Sequence, residues 1–226
     1  MTRKWKTIQT LRFLAWLLLA GVCLSNATAS TWTEIGDAPD LPPGQVPSGT
    51  GALTQIDGNL QSIDFEADVF CIHIDDPANF SATELGAPND IALWLFDANF
   101  DGVTFHGDDD SSFSPPTIVP GLTNAFVPGP GVHYLAVSPS GRDPVAFGLE
   151  IWQDLPLIER MPDGPGAPGP ISGWTGLGFG QDRPYSIALT GTSFCVPEAN
   201  SFGLFLSGLP MGLIWARRRL GCTSKS

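Results

Sequence analysis

Between Lys6 and Lys225 the chain contains no lysine. Arginine is scarce there too, apart from a cluster near the C-terminus. Between Glu34 and Glu198 only Arg142, Arg160 and Arg183 stand against all 23 acids of the chain, a net charge of −20 for that stretch. A surface so acidic repels phosphate backbones and anionic lipid, which excludes nucleic acid as a partner and leaves cations, neutral glycans and basic proteins. There is no unbroken run of 18 apolar residues, so no segment reads as an ordinary membrane-spanning helix. The body has no convincing 3.6-residue apolar stripe over ten or more positions, which argues against a helical domain. Catalytic signatures are missing as well: there is no Gly-x-Ser-x-Gly elbow, no His-Glu-x-x-His and no Cys-x-x-Cys. The acids would suffice for a paired-carboxylate hydrolase by residue type alone. A body that is about one-fifth Gly and Pro leaves little scaffold for a deep cleft, and the chain reads as a non-enzyme.

What is present divides the chain into four parts. Residues 1–29 have the layout of a secretory signal peptide. Arg3, Lys4, Lys6 and Arg12 form its basic start, Phe13 to Leu24 its apolar centre, and Ala27-Thr28-Ala29 a small-x-small site for cleavage between Ala29 and Ser30. Residues 30–51 form a proline-bearing lead-in without periodicity, expected to be extended and partly mobile, with Trp32 docking on the domain. Residues 52–195 are the body. Residues 196–226 are a tail.

The body is built of short apolar segments separated by turn residues. Thr54 to Leu60 is expected to pair, with a bend at Asp57-Gly58. Asp68 to Ile74 alternates, with Phe70, Ile72 and Ile74 on one face and Val69, Cys71 and His73 on the other. Ile91 to Phe96 is apolar throughout, as a central strand buried on both faces would be. Val132 to Ser138 has the same character. Phe147 to Trp152 and Tyr185 to Thr190 alternate again. Met161 to Gly180, rich in Gly and Pro, is expected to be a long surface loop. Six or more short strands of this kind indicate an all-β fold, an antiparallel β-sandwich of jelly-roll-like type.

Four cysteines are present, and only Cys71 and Cys195 lie in the body. An even pair in an exported domain indicates a disulfide, and two separate buried thiols are the alternative. His73, His106 and His133 have no metal-ligand spacing among them.

Oxygen side chains at alternate positions followed by Gly make Asp97, Asn99, Asp101 and Val103 the first half of a calcium loop, with Asp108 at the twelfth position. Asp, Asn and Gly also suit an ordinary hairpin turn, and both readings stand. Trp94, Trp152, Trp174 and Phe179 are candidates for a sugar-stacking platform. Core packing is the expected use of Trp94, whereas the alternation of its segment places Trp152 on an exposed face.

Several segments together resemble the bacterial pre-peptidase C-terminal-like domain, an accessory β-sandwich of secreted proteins. They are Asp68-Val69-Phe70, Ile91 to Asp97, Gly107 to Asp110, Pro130 to Val137 and Tyr185 to Gly191, and the resemblance spans roughly Ala52 to Cys195. It implies a non-catalytic domain, in some members contributing to substrate or matrix binding.

The tail resembles the PEP-CTERM sorting signal. Val196, Pro197 and Glu198 precede an apolar run, Phe202 to Ala216, and Arg217, Arg218 and Arg219 follow it. A helix of 15 residues reaches about 22 Å, short of the roughly 30 Å hydrocarbon core, so the run suits a transient anchor better than a permanent one. The arginines mark the cytoplasmic side. The third motif position is Ala199 where the pattern has Pro, and seven residues follow the arginines. The resemblance implies passage through the secretion translocon and recognition by an exosortase-like processing enzyme. It also implies delivery to the cell envelope or extracellular matrix of a Gram-negative bacterium that makes extracellular polysaccharide. Calcium- or glycan-binding as an accessory module is the alternative function, and a small secreted hydrolase the third.

Overall fold

A computed structural model describes residues 29–61, 67–86, 90–107, 115–119, 126–177 and 182–195. The basic and apolar parts of the signal-like segment, the whole sorting tail, Asp108 and Phe179 lie outside them. The described chain is all-β. Strands β1 (Ser30–Thr33), β2 (Leu53–Leu60), β12 (Arg183–Thr190), β4 (Ser81–Glu84) and β7 (Thr117–Ile118) form one five-stranded sheet in that order. A second five-stranded sheet runs β13 (Thr192–Phe194), β3 (Asp68–Ile74), β8 (Gly131–Pro139), β5 (Ile91–Phe96) and β6 (Gly102–Gly107). Strands β10 (Leu149–Glu150), β9 (Asp143–Ala146) and β11 (Gly173–Thr175) make a small third sheet. Neighbouring strands are antiparallel except β1 and β2.

The second sheet lies in the middle. Its strands alternate in side-chain direction, and both faces are apolar. Phe70, Ile72, Ile74, Leu93, Leu95, Leu135 and Val137 face the first sheet and pack with Leu53, Ile56, Ile187 and Leu189. Val69, Cys71, Trp94, Phe96, Tyr134 and Ala136 face the other way, onto Ala146, Ile151, Trp152 and Ile171. The uninterrupted apolar run of β5 follows from this double burial, and all six of its residues are buried. The predicted faces of β3 hold as well.

The third layer was not legible in the sequence. Phe147 to Trp152 is not one strand. Phe147 and Gly148, with φ of 54° and 77°, form the two-residue turn of a tight hairpin between β9 and β10. Phe147 is 82% exposed at its tip, whereas Trp152, expected on the outside, is only 1% exposed. The turn breaks the period-two register that the expectation used. The Trp152 ring then meets Trp94 at 5.3 Å and Phe96 at 5.9 Å between centroids, and its Nε1 donates to the Arg160 carbonyl at 3.3 Å. The Gly- and Pro-rich segment is a covering layer and not a free loop. Gly164 N donates to Ile151 O at 2.9 Å and Gly166 N to Glu150 O at 2.7 Å, and both glycines are buried. A Cβ on either would run into the backbone of Leu149 to Ile151. Glycine is what lets two chain segments approach so closely.

Two further expectations are corrected. Asp57-Gly58 is no bend: β2 runs straight through it, and Gly58 lies opposite Tyr185, whose ring fills the space a Cβ would need. The lead-in is tied to all three layers. β1 adds to the edge of β2, Gln45 bridges Phe70, Val69 N donates to Pro39 O at 3.0 Å, and Trp174 Nε1 donates to Asp40 O at 2.5 Å. Trp32 docks as expected, packed against the core with its Nε1 on Gln45 Oε1 at 3.2 Å. Cys71 and Cys195 form the disulfide, with Cα atoms 5.6 Å apart.

Trp152→Ala should cost about 3–5 kcal/mol of unfolding free energy, read from urea denaturation. A loss within about 0.5 kcal/mol, as for a surface residue, would contradict the covering layer.

Candidate functional site

The calcium-like sequence is the turn between β5 and β6. Asp97 Oδ1 accepts from the backbone N–H of Asn99 at 2.7 Å and of Asp101 at 3.0 Å. Asn99 Nδ2 reaches Asp97 Oδ2 at 3.3 Å, and Phe100 N donates to Asp97 O at 3.0 Å. Phe100 takes φ 71°, places its ring on Tyr134 at 5.2 Å and accepts from Ile171 N through its carbonyl at 2.9 Å. Gly102 is needed for packing: a Cβ there would lie 2.6 Å from the Trp152 ring and 2.9 Å from Ile151. The turn therefore has its own structural reasons for Asp, Asn and Gly. It brings Asp97, Asn99 and Asp101 together, with Val103 following in β6. The fifth expected ligand, Asp108, lies outside the described residues. Burial, and then the charge of Asp97, raise the Asp101 carboxyl above its ordinary value.

Beside this turn lies an open groove of about 610 Å³, lined among others by Asp97, Val103, Phe126, Pro130, His133 and Met161. His133 is 6% exposed, and its Nδ1 lies 3.0 Å from the Gly131 carbonyl. A carbonyl can only accept, so Nδ1 carries the proton and Nε2 is the basic nitrogen of the neutral ring. Burial lowers the His133 pKa, against the Gly131 bond and the Asp97 charge, so the ring is neutral at neutral pH. His73 is held elsewhere, by Asp75 at 2.8 Å. His106 lies on β6, and burial lowers its pKa.

Sequence reasoning missed two carboxylate groups, because their members are far apart in the chain. Glu34, Asp37 and Asp68 each bring an oxygen within 4.8 Å of the others, at the end of the body away from the Asp97 turn. Glu34 ties the lead-in to β2 by accepting from Ala38 N at 2.7 Å and Asn59 N at 2.8 Å. Burial nevertheless raises its pKa. Asp68, buried, accepts from the Tyr185 hydroxyl at 2.6 Å, and burial followed by the Asp68 charge holds that phenol well above its ordinary pKa. Asp143, Glu150 and Asp154 form the second group, on the third layer. Burial, then the charges of Asp154 and Glu150, push Asp143 up to about 6, with Arg160 opposing. No sequence spacing signals either group.

The sugar-stacking platform is not formed as expected. Trp94 and Trp152 are each 1% exposed and offer no free ring face, and Trp174 is half-buried. Trp94 stacks on Phe105 at 4.1 Å and donates to Ser138 Oγ at 2.8 Å. Phe179 lies outside the described residues. No family model, curated protein or solved structure matches this chain.

Asp143 gives a pH dependence of defined sign. Its carboxyl titrates near 3.8 when unfolded and near 6 when folded, so folding takes up a proton in that window and stability falls as pH rises through it. Water still reaches the group, and screening limits the effect to about 1 kcal/mol. Asp143→Asn should therefore stabilise the protein by about that amount at pH 7.5 and hardly at all at pH 3.5. Equal effects at both pH values, in thermal melts, would refute this assignment.

Proposed function

We propose that this is an exported, non-enzymatic β-sandwich protein of the cell envelope or extracellular matrix. It is delivered through the secretion translocon and sorted by an exosortase-type enzyme acting on the tail at Val196, Pro197 and Glu198. The observation that carries this reading is the disulfide between Cys71 and Cys195, in a body without lysine. Such bonds persist in oxidising compartments outside the cytoplasm. The lead-in supports it too: β1 starts at Ser30, the residue that follows the expected cleavage site. The finer fold in this reading is the jelly-roll-like sandwich of a pre-peptidase C-terminal-like domain. A signal helix would precede it, and a short apolar helix would anchor it transiently. Extracellular polysaccharide is the matrix partner that fits an acidic body.

A second reading, a calcium-dependent module, is favoured by one observation: Asp97, Asn99 and Asp101 share a single turn next to the His133 groove. Millimolar calcium should then raise the melting temperature and shift the NMR signals of residues 97–103. A protein indifferent to calcium in both measurements is not such a module.

The sorting reading is tested by intact-mass spectrometry on membrane and extracellular fractions. The mature chain is expected to start at Ser30 and to lack the run from Phe202 to Ala216. Cys71 and Cys195 should resist alkylation after unfolding without reductant. A mass retaining every residue through Ser226 would overturn processing at the tail.

A further inference from the structure

Asp97 and His133 line the groove beside the β5–β6 turn together. Phe96 pairs with Tyr134, so the next pair out along the same register is Asp97 and His133. Directly opposed residues point the same way, with Cβ atoms about 5 Å apart. The imidazole feels the Asp97 charge, as that placement requires.

Both groups offer lone pairs to the groove. Asp97 Oδ1 already accepts from the N–H groups of Asn99 and Asp101, whereas Oδ2 takes only the Asn99 amide, at 3.3 Å. A carboxylate oxygen accepts two hydrogen bonds, so Oδ2 has room for another donor. His133 Nδ1 gives its proton to the Gly131 carbonyl, and Nε2, the far nitrogen of the ring, keeps its lone pair. The residue is otherwise enclosed, at 6% exposure, so the groove is where that nitrogen can meet a ligand.

The sign of the charge narrows the ligand. No lysine or arginine is among the described residues that line the groove. An anion would find no partner there and would have to approach an acidic body, whereas the same field draws a cation in. Calcium suits this pair poorly, because hard cations take oxygen ligands and one member is an imidazole nitrogen. A primary ammonium suits it well, being a compact charge that carries three donors. The other walls include Val103, Phe126, Pro130, Met161 and Pro162, all apolar. They match the C–H faces of a sugar ring. The volume, about 610 Å³, falls within the roughly 300–1,000 Å³ of small-molecule sites.

We propose that this groove binds a polysaccharide through the protonated amine of a glucosamine-type unit, with Asp97 and His133 Nε2 as its acceptors. The amine follows from the geometry, and the choice of a polysaccharide as its carrier rests on the matrix reading above. The protein then holds matrix chains that bear free amino groups and passes over acetylated or acidic ones.

The test titrates a glucosamine hexamer into the full chain in nonionic detergent, with isotope-labelled histidine read by NMR. Salt at about 0.15 M screens weak surface attraction. The ring signals of His133 should shift, and those of His73, held elsewhere by Asp75, should hardly move. The N-acetylglucosamine hexamer, which lacks the charge, should bind at least about tenfold more weakly. Asp97→Asn and His133→Gln should each weaken binding by about tenfold. Met161→Arg, at an exposed position where folding is not at stake, should abolish it by placing a cation in the groove. No shift at His133 overturns the site. So do equal shifts at His73, or binding indifferent to all three variants, which mean general attraction of a polycation to an acidic protein. Equal binding of the acetylated hexamer overturns the ammonium. A hexalysine peptide that binds as tightly, with the same His133 shifts, overturns the polysaccharide. None of these outcomes touches the sorting reading, which fails instead on a mature mass retaining every residue through Ser226.

Discussion

A sheet that is apolar on both faces has to be covered twice. That constraint organises this protein. The β3, β8 and β5 strands place Ile and Leu side chains toward the first sheet and Trp94, Phe96, Val69 and Ala136 toward the opposite side. The first cover is a regular five-stranded sheet. The second is mostly irregular chain, from Asp143 to Thr175, with a three-stranded patch within it. It works as a cover because Trp152 and Ile151 fill the space over Trp94 and Phe96, and because buried glycines let the backbone pass close above them. The unusual Gly and Pro content is thus a property of the core's second wall.

The lead-in and the disulfide act across the layers. The chain from Ser30 to Gln45 runs from the edge of the first sheet to Phe70 of the second, and contacts Trp174 of the third on the way. At the other end of the body's sequence, Cys195 pins β13 to β3. A disulfide closing a loop of 124 residues removes chain entropy from the unfolded state, by roughly 5 kcal/mol at most. The acids, crowded into a chain with few cations, answer to the same geometry. Where the fold brings them together, as at Asp143, burial and then the neighbouring charges raise the carboxyl's proton affinity.

The strands could be read from residues because double burial and alternation leave plain marks. Ile91 to Phe96 has no polar position, and Phe70, Ile72 and Ile74 alternate with Val69 and Cys71. The Phe147 to Trp152 segment misled because a turn of two residues resets the alternation, and neither Phe nor Gly announces a hairpin as Asn-Gly would. At the candidate site, Asp97, Asn99 and Asp101 were legible because they are neighbours in one turn. His133 beside them was seen only as a strand residue. The carboxylate groups of Glu34, Asp37 and Asp68, and of Asp143, Glu150 and Asp154, had no local signal.

The sequence by itself determined the charge partition, the paired cysteines and the class of secondary structure. Each of these depends on composition or on neighbours a few residues apart. Only the tertiary structure decided which apolar segments form the second wall, which acids face one another, and that Ala52 lies beside Ser193. Those outcomes depend on pairings such as Ala52 with Ser193 and Gly58 with Tyr185. Contacts across more than a hundred residues follow from which surfaces can be buried together, and local pattern does not encode that choice.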